Sequence, residues 1–220
     1  MARGYFVTGT DTGVGKTVAS AALVHRLRAA GPVRYWKPIQ TGIETDDDTA
    51  TVGWLGGCAP DELWQHGIRL ERPVSPHLAA RLSGTRIDAA HVARHFPDDR
   101  SVRWIVEGAG GVLVPLNERE MMADLISRLA LPVIVVSRST LGTINHTLLT
   151  IEALRRRSID VAGVVMIGPP NADNREAIEQ HGGVEVIGEM PRLEPLTPET
   201  LGAWARSALR IGEQLPETAR

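Results

Sequence analysis

Residues Tyr5-Phe6-Val7-Thr8-Gly9-Thr10-Asp11-Thr12-Gly13-Val14-Gly15-Lys16-Thr17 pass from an apolar run through a glycine-containing loop into Gly-Lys-Thr. That pattern predicts a phosphate-binding loop, because the N–H groups of a tight loop and of the following helix start converge on an anion. The loop backbone around Gly13, Val14 and Gly15 would supply that cradle, Lys16 would reach the β and γ oxygens of a triphosphate, and the Thr17 hydroxyl would hold Mg²⁺. The strict spacing puts glycine five residues before Gly15; Thr10 stands there, and Gly9 lies one place earlier. A metal–triphosphate also needs a carboxylate at a strand end. Glu107 follows the apolar run Arg103–Val106 and precedes Gly108-Ala109-Gly110-Gly111, small residues that let backbone approach phosphate. Asp46-Asp47-Asp48 is a second acidic source, in which Asp48 would also cap a helix starting at Thr49 and Asp47 is the second choice. Lys37, at the end of a second strand in Trp36-Lys37-Pro38-Ile39-Gln40-Thr41-Gly42, would share a sheet edge with Lys16 and face the phosphates.

The elements that must hold these groups follow from hydrophobic pattern. Short apolar runs at Tyr5–Thr8, Val33–Lys37, Arg103–Val106, Val133–Val136, Val161–Ile167 and Val184–Ile187 predict strands. Helices are predicted at Thr17–Ala30, closed by a left-handed Gly31 cap and Pro32, and at Thr143–Arg157 and Pro198–Ile211; Ser75-Pro76-His77 reads as a further helix start capped by Ser75. Strands such as Pro132–Val136 are apolar on both faces, as when helices cover both sides of a parallel sheet. The expected fold is α/β: a three-layer, P-loop NTPase-like domain with a mostly parallel central sheet and helices on both faces. It would span residues 1–212, with 213–220 a frayed polar tail.

Composition bounds the setting. Lys and Arg number 24 against 26 Asp and Glu, so bulk charge gives no reason to expect a nucleic-acid partner. No apolar run approaches the roughly 20 residues a membrane helix needs, and no membrane association is expected. The one cysteine, Cys58, has no partner within the chain and no activating neighbour in sequence, which fits an inert thiol in the cytoplasm. His91 and His95 lie a helical turn apart with no third metal ligand suggested nearby, and Arg155-Arg156-Arg157 reads as a solvated helix end.

Taken together, these stretches resemble the dethiobiotin synthetases, ATP-dependent enzymes of biotin synthesis. The match runs through Tyr5–Thr12 with Val14–Thr17, Lys37-Pro38 with Thr41-Gly42, Ser75-Pro76-His77, Val106–Gly111 and Leu141-Gly142-Thr143-Ile144-Asn145-His146. The resemblance implies a homodimer acting on 7,8-diaminopelargonic acid, CO₂ and ATP, with Mg²⁺ as cofactor and the substrate site at the dimer interface. Carried over by position, Thr17, Asp48 and Glu107 would hold the metal, and Gly13–Val18 with Glu107–Gly110 would touch ATP. Lys37 matches the family's active-site lysine and Thr41 its substrate-binding hydroxyl. Asn145, with Leu141, Gly142, Thr143 and Ile144, would bind the substrate carboxylate; from the residues alone, Asn145 and Thr143 would equally serve as helix caps.

One position departs from the family pattern. Where many relatives carry an adenine-reading asparagine after the fifth strand, this chain has Ile167, followed by Gly168, and only the loop Pro191-Arg192-Leu193 remains to read the base. Weak discrimination among nucleoside triphosphates is therefore expected. The alternative is an ATP-driven switch or partitioning ATPase of the same fold; such proteins carry a lysine where Asp11 stands here.

Overall fold

The computed structural model describes residues 3–97 and 99–211, so the expected tail at 213–220 and its boundary at 212 fall outside the described residues. Seven strands form one parallel sheet in the order β4-β2-β6-β1-β7-β8-β9. They are β1 (Arg3–Gly9), β2 (Val33–Trp36), β4 (Leu63–Trp64), β6 (Arg103–Gly111), β7 (Val133–Arg138), β8 (Val161–Ile167) and β9 (Val186–Met190). A second, two-stranded parallel sheet pairs β3 (Ile39–Thr41) with β5 (Ile68–Leu70). The helices are α1 (Lys16–Arg28), α2 (Asp48–Leu55), α3 (Pro76–Leu82), α4 (Ala89–Ala93), α5 (Met122–Leu129), α6 (Thr143–Arg155), α7 (Ala172–Gly182) and α8 (Pro198–Ala208).

Both faces of the large sheet are buried, which is why its central strands lack an apolar–polar alternation. Phe6, Val133, Val135 and Met166 face the side packed by Leu125, Ile126, Ile151 and Leu154. Tyr5, Val7, Ile134 and Val136 face the other, against Leu23, Val24, Leu201 and Ala205. Among the described residues no helix is long and apolar enough to cross a membrane.

Several boundaries differ from expectation, each for a local reason. β6 runs to Gly111, so Glu107–Gly110 lie inside the strand and not after it; the ladder with β1 continues through Val7↔Glu107 and Gly9↔Gly111. β9 begins at Val186 instead of Val184 and leads straight into Pro191. α2 starts at Asp48, and its cap is Asp47, whose side chain accepts from the Ala50 N–H at 3.1 Å; Asp48 is therefore the first helical residue and not the cap. α1 ends earlier than expected, on Ala29 in right-handed conformation, and Gly31 has φ 138°, outside the left-handed helical cap geometry. α6 opens on Gly142 at φ 93°, so neither Thr143 nor Asn145 caps it; the Thr143 hydroxyl donates back to the Arg138 carbonyl. Ser75 occupies the cap position of α3 with Pro76 in the first turn, but its hydroxyl pairs with His77 Nδ1 and not with a backbone N–H.

Candidate active site

The carboxyl ends of β1, β2, β6 and β7 and the start of α1 meet at one edge of the sheet. The loop after β1 is tied down by the Thr10 N–H, which donates to Val136 O on β7, and opens into α1 at Gly15, φ 98°. Gly13, φ 68°, faces open space, and Val14 is buried. Lys16 folds back over the loop and donates to Asp11 O at 3.0 Å. Burial first, and then the like charge of Lys37, holds its ammonium below the usual lysine range. A cation so placed is costly to leave unpaired, which favours an anion in the loop.

Four side chains from four elements gather beside it: Thr17 from α1, Asp48 from α2, Lys37 just after β2 and Glu107 from β6. Lys37 Nζ lies 2.6 Å from Asp48 Oδ2 and 2.7 Å from Glu107 Oε1, and donates to Gly108 O at 3.1 Å. The Thr17 hydroxyl is 2.7 Å from Asp48 Oδ1 and 3.2 Å from Glu107 Oε1. Glu107 has no exposed surface and Lys37 only 8%, so neither is the exposed strand-end charge its sequence neighbours would allow. Burial would drag Lys37 down, but Glu107 and Asp48 outweigh it and hold the ammonium above the ordinary lysine range. Burial would likewise raise Asp48, and Lys37, Thr17 and Lys16 reverse that. Asp47 is engaged elsewhere: besides capping α2, it pairs with Arg69 of β5 at 2.6 Å. Two carboxylates and a hydroxyl form an all-oxygen set suited to a hard cation that keeps phosphate oxygens and water as its other ligands. Among the described residues no group of three or more His, Cys, Asp or Glu is gathered, which that coordination does not require.

Sequence reasoning missed Tyr35. Its hydroxyl donates to Glu107 Oε2 at 2.9 Å, and burial, reinforced by the Glu107 charge, keeps the phenol well above the usual tyrosine range. The signal was present in the expected strand Val33–Lys37, where Tyr35 and Lys37 stand two apart, the spacing that puts strand residues on one face.

A second space opens at the end of β8 and β9, a cavity of about 380 Å³ lined by Gly15, Val18, Ile167 and Met190–Leu196. Ile167 packs on the loop so closely that a Cβ at Gly15 would sit 2.5 Å from its Cδ1. Gly168, φ 134°, lies against Ser139 Oγ. Arg192 and Glu194 pair with each other at 2.7 Å, leaving the rest of the lining side chains apolar.

Thr41 ends β3, half-buried, in the small sheet. Leu141, Gly142 and Asn145 are exposed at the start of α6, Ile144 is half-buried and Thr143 buried, so within one chain these residues do not join the cluster around Lys37. A separate cleft between the phosphate loop, Gly111–Val114 and α6 is lined by Thr10, Asp11, Leu113, His146 and Leu149. Elsewhere, Arg155 is more than a solvated helix end, since it donates to Gly182 O and Gly183 O at the end of α7. His66 stacks on His95, an aromatic contact that sequence proximity could not suggest. Burial pushes the Cys58 thiol up to about 11.

With this geometry established, comparison with known proteins is specific. Residues 3–200 match a family described as an AAA domain. The ATP-dependent dethiobiotin synthetase BioD of Agrobacterium fabrum is 46% identical over 201 residues, covering 91% of this chain and 92% of the relative. The biotin biosynthesis bifunctional protein BioCD of Bordetella avium is 44% identical over 218 residues, covering 99% of this chain but 45% of that longer protein. Thus the chain spans a little under half of the bifunctional relative and nearly all of the single-function one. In fold, the septum site-determining protein MinD of Pyrococcus horikoshii, solved with Mg-ADP, aligns with TM-score 0.58 at 14% identity over 94% of this chain and 93% of that one. The fold is that of P-loop nucleotide-binding proteins, and the chain belongs to the family of ATP-dependent dethiobiotin synthetases.

Proposed function

We infer that this chain is an ATP- and Mg²⁺-dependent dethiobiotin synthase, a carbon–nitrogen ligase acting on 7,8-diaminopelargonic acid, CO₂ and ATP. One amine of the diamine takes up CO₂ to form a carbamate. A carbamate oxygen attacks the γ-phosphorus and ADP leaves; the second amine then attacks the carbamate carbon and expels phosphate, closing the cyclic urea.

The observation that carries this reading is the buried meeting of Lys37 with Asp48, Glu107 and Thr17 beside the phosphate loop. The switch alternative would carry its additional lysine in the loop, where this chain has Asp11; here the second cation comes from the end of a neighbouring strand. Joining a carbamate to a triphosphate brings two anions together, and a second buried cation neutralises the charge that shifts in the transition state. Lys16 would hold β and γ oxygens and Lys37 the attacking carbamate and the γ-phosphoryl oxygens. Thr17, Asp48 and Glu107 would hold Mg²⁺, which would supply positive charge to offset that of the phosphates. Gly13–Val18 and Gly108–Gly110 would line the phosphates, and Ile167, Gly168 and Pro191–Leu193 the base. Thr41 would touch the diamine.

The carboxylate of the diamine would be received by the free N–H groups and Asn145 at the start of α6 of a second copy, making the working unit a homodimer. Exposed Leu113, Leu141 and Leu149 border that side of the molecule and supply apolar area for such a contact. The reading places the reaction in the cytoplasm, where a free thiol such as Cys58 persists.

The test is phosphate release from protein, Mg²⁺, ATP and bicarbonate with and without the diamine. Release is expected only with the diamine; equal release in its absence would favour the partitioning ATPase instead. A second expected result concerns the base. Because apolar side chains dominate the cavity beside Ile167, kcat/KM for CTP or GTP is expected within about 100-fold of that for ATP. A preference above about 10⁴ would show that hydrogen bonds from the Pro191–Leu193 backbone read adenine.

A further inference from the structure

We propose that Tyr35 is a positioning residue for the metal site: its hydroxyl clamps Glu107 Oε2 so that Oε1 is presented to the cation and to Lys37. The inference rests on the reading of Glu107 as a ligand of the nucleotide's divalent cation.

Three observations carry it. The first is strand geometry. Tyr35 pairs with Ile105 in the parallel β2–β6 register, and Glu107 follows Ile105 by two residues, so the phenol and the carboxylate emerge on the same face of adjacent strands. The second is the division of labour between the two carboxylate oxygens. Oε1 receives Lys37 Nζ at 2.7 Å and the Thr17 hydroxyl at 3.2 Å, whereas Oε2 receives the Tyr35 hydroxyl at 2.9 Å. The third is burial: Tyr35 and Glu107 both have no exposed surface, so water cannot take the phenol's place on Oε2. An ionised carboxylate is acceptor-only, so each oxygen needs a donor, and one that lost its donor in this dry site would turn toward Lys37 or Thr17 for compensation. Either rotation moves Oε1 away from the position at which it meets Thr17 and Lys37. Partners that orient metal-ligating carboxylates commonly change metal affinity by about 10–100-fold when removed.

The decisive experiment measures Mn²⁺ binding to the protein–ADP complex by electron paramagnetic resonance, with no turnover involved. Tyr35→Phe keeps the ring and its packing and removes only the hydroxyl. It is expected to weaken Mn²⁺ binding about 10-fold or more, to leave metal-free ADP affinity unchanged, and to recover turnover when Mg²⁺ is raised. A merely structural role would lower the melting temperature and leave Mn²⁺ affinity of the folded fraction intact, and that result would overturn the proposal. Glu107→Gln serves as the control. If it leaves Mn²⁺ affinity unchanged, the reading of Glu107 fails and the proposal falls with it; if it weakens binding while Tyr35→Phe does not, only the proposal falls.

A second measurement stands even where Tyr35→Phe does not fold. The chain has two tyrosines, so a Tyr5→Phe protein labelled with 3-fluorotyrosine reports ¹⁹F resonance from position 35 alone. That signal is expected to shift when Mg²⁺ is added to the ADP complex, and to stay put when Mg²⁺ is added to the Glu107→Gln form. An unmoved signal in the protein with Glu107 intact would overturn the proposal.

Discussion

Replacing Lys37 with alanine is expected to lower kcat for diamine-dependent phosphate release by about 10³-fold while leaving the Kd for ATP within about threefold. Lys37 sits between Asp48 and Glu107 with almost no exposed surface, too far from bulk water for solvent to replace its charge. If it neutralises charge only as the phosphoryl group moves, its loss falls on the transition state and spares the ground state. Stopped-flow nucleotide binding together with steady-state rates separates the two. A Kd that weakens as much as kcat/KM, with kcat intact, would make Lys37 a uniform binder and remove it from the chemistry. The same variant leaves two carboxylates facing each other without their ammonium, an arrangement that costs about 3–5 kcal/mol for a buried pair. Its melting temperature should therefore rise with Mg²⁺ far more than that of the parent protein.

The second large effect distinguishes two adjacent aspartates. Asp48→Ala is expected to cut turnover at limiting Mg²⁺ by about 100-fold or more, since a metal ligand supports several kcal/mol of charge stabilisation. Asp47→Ala should leave turnover near the parent value and lower stability by about 1 kcal/mol, the usual worth of a helix cap. The reason is positional. Asp47 is committed to the Ala50 N–H and to Arg69, whereas Asp48 points at Lys37 and Thr17. Rates across a Mg²⁺ titration, paired with thermal melts, check both; a reversed pattern would move the metal ligand to Asp47.

Much of this site was legible before any coordinates. The phosphate loop is contiguous, and its Gly-Lys-Thr must open a helix after a buried strand for its N–H groups to converge, so local order alone placed Lys16 and Thr17. Likewise, apolar runs such as Val133–Val136 carry their burial on both faces in their own composition, which points to a parallel sheet between helical layers. The end of β6 was less legible. Glycine-rich Gly108–Gly111 reads as loop, and only the hydrogen bonds offered by β1 extend the strand through it. The cap of α2 misled in the same way, because three consecutive aspartates offer the same side-chain chemistry and Arg69, distant in sequence, selects which of them turns toward the small sheet.

What the residue order determined by itself, then, is everything that acts over a few positions: the anion cradle, the buried strands and the kinds of group able to carry phosphoryl chemistry. Only the tertiary structure decided which of them meet. Glu107 lies 72 positions from Tyr35 and 70 from Lys37 in sequence, yet parallel pairing of β2 with β6 sets them side by side. Such polar groups persist in a dry setting because each is answered by a partner from a different element, and no local pattern encodes such an exchange across a sheet.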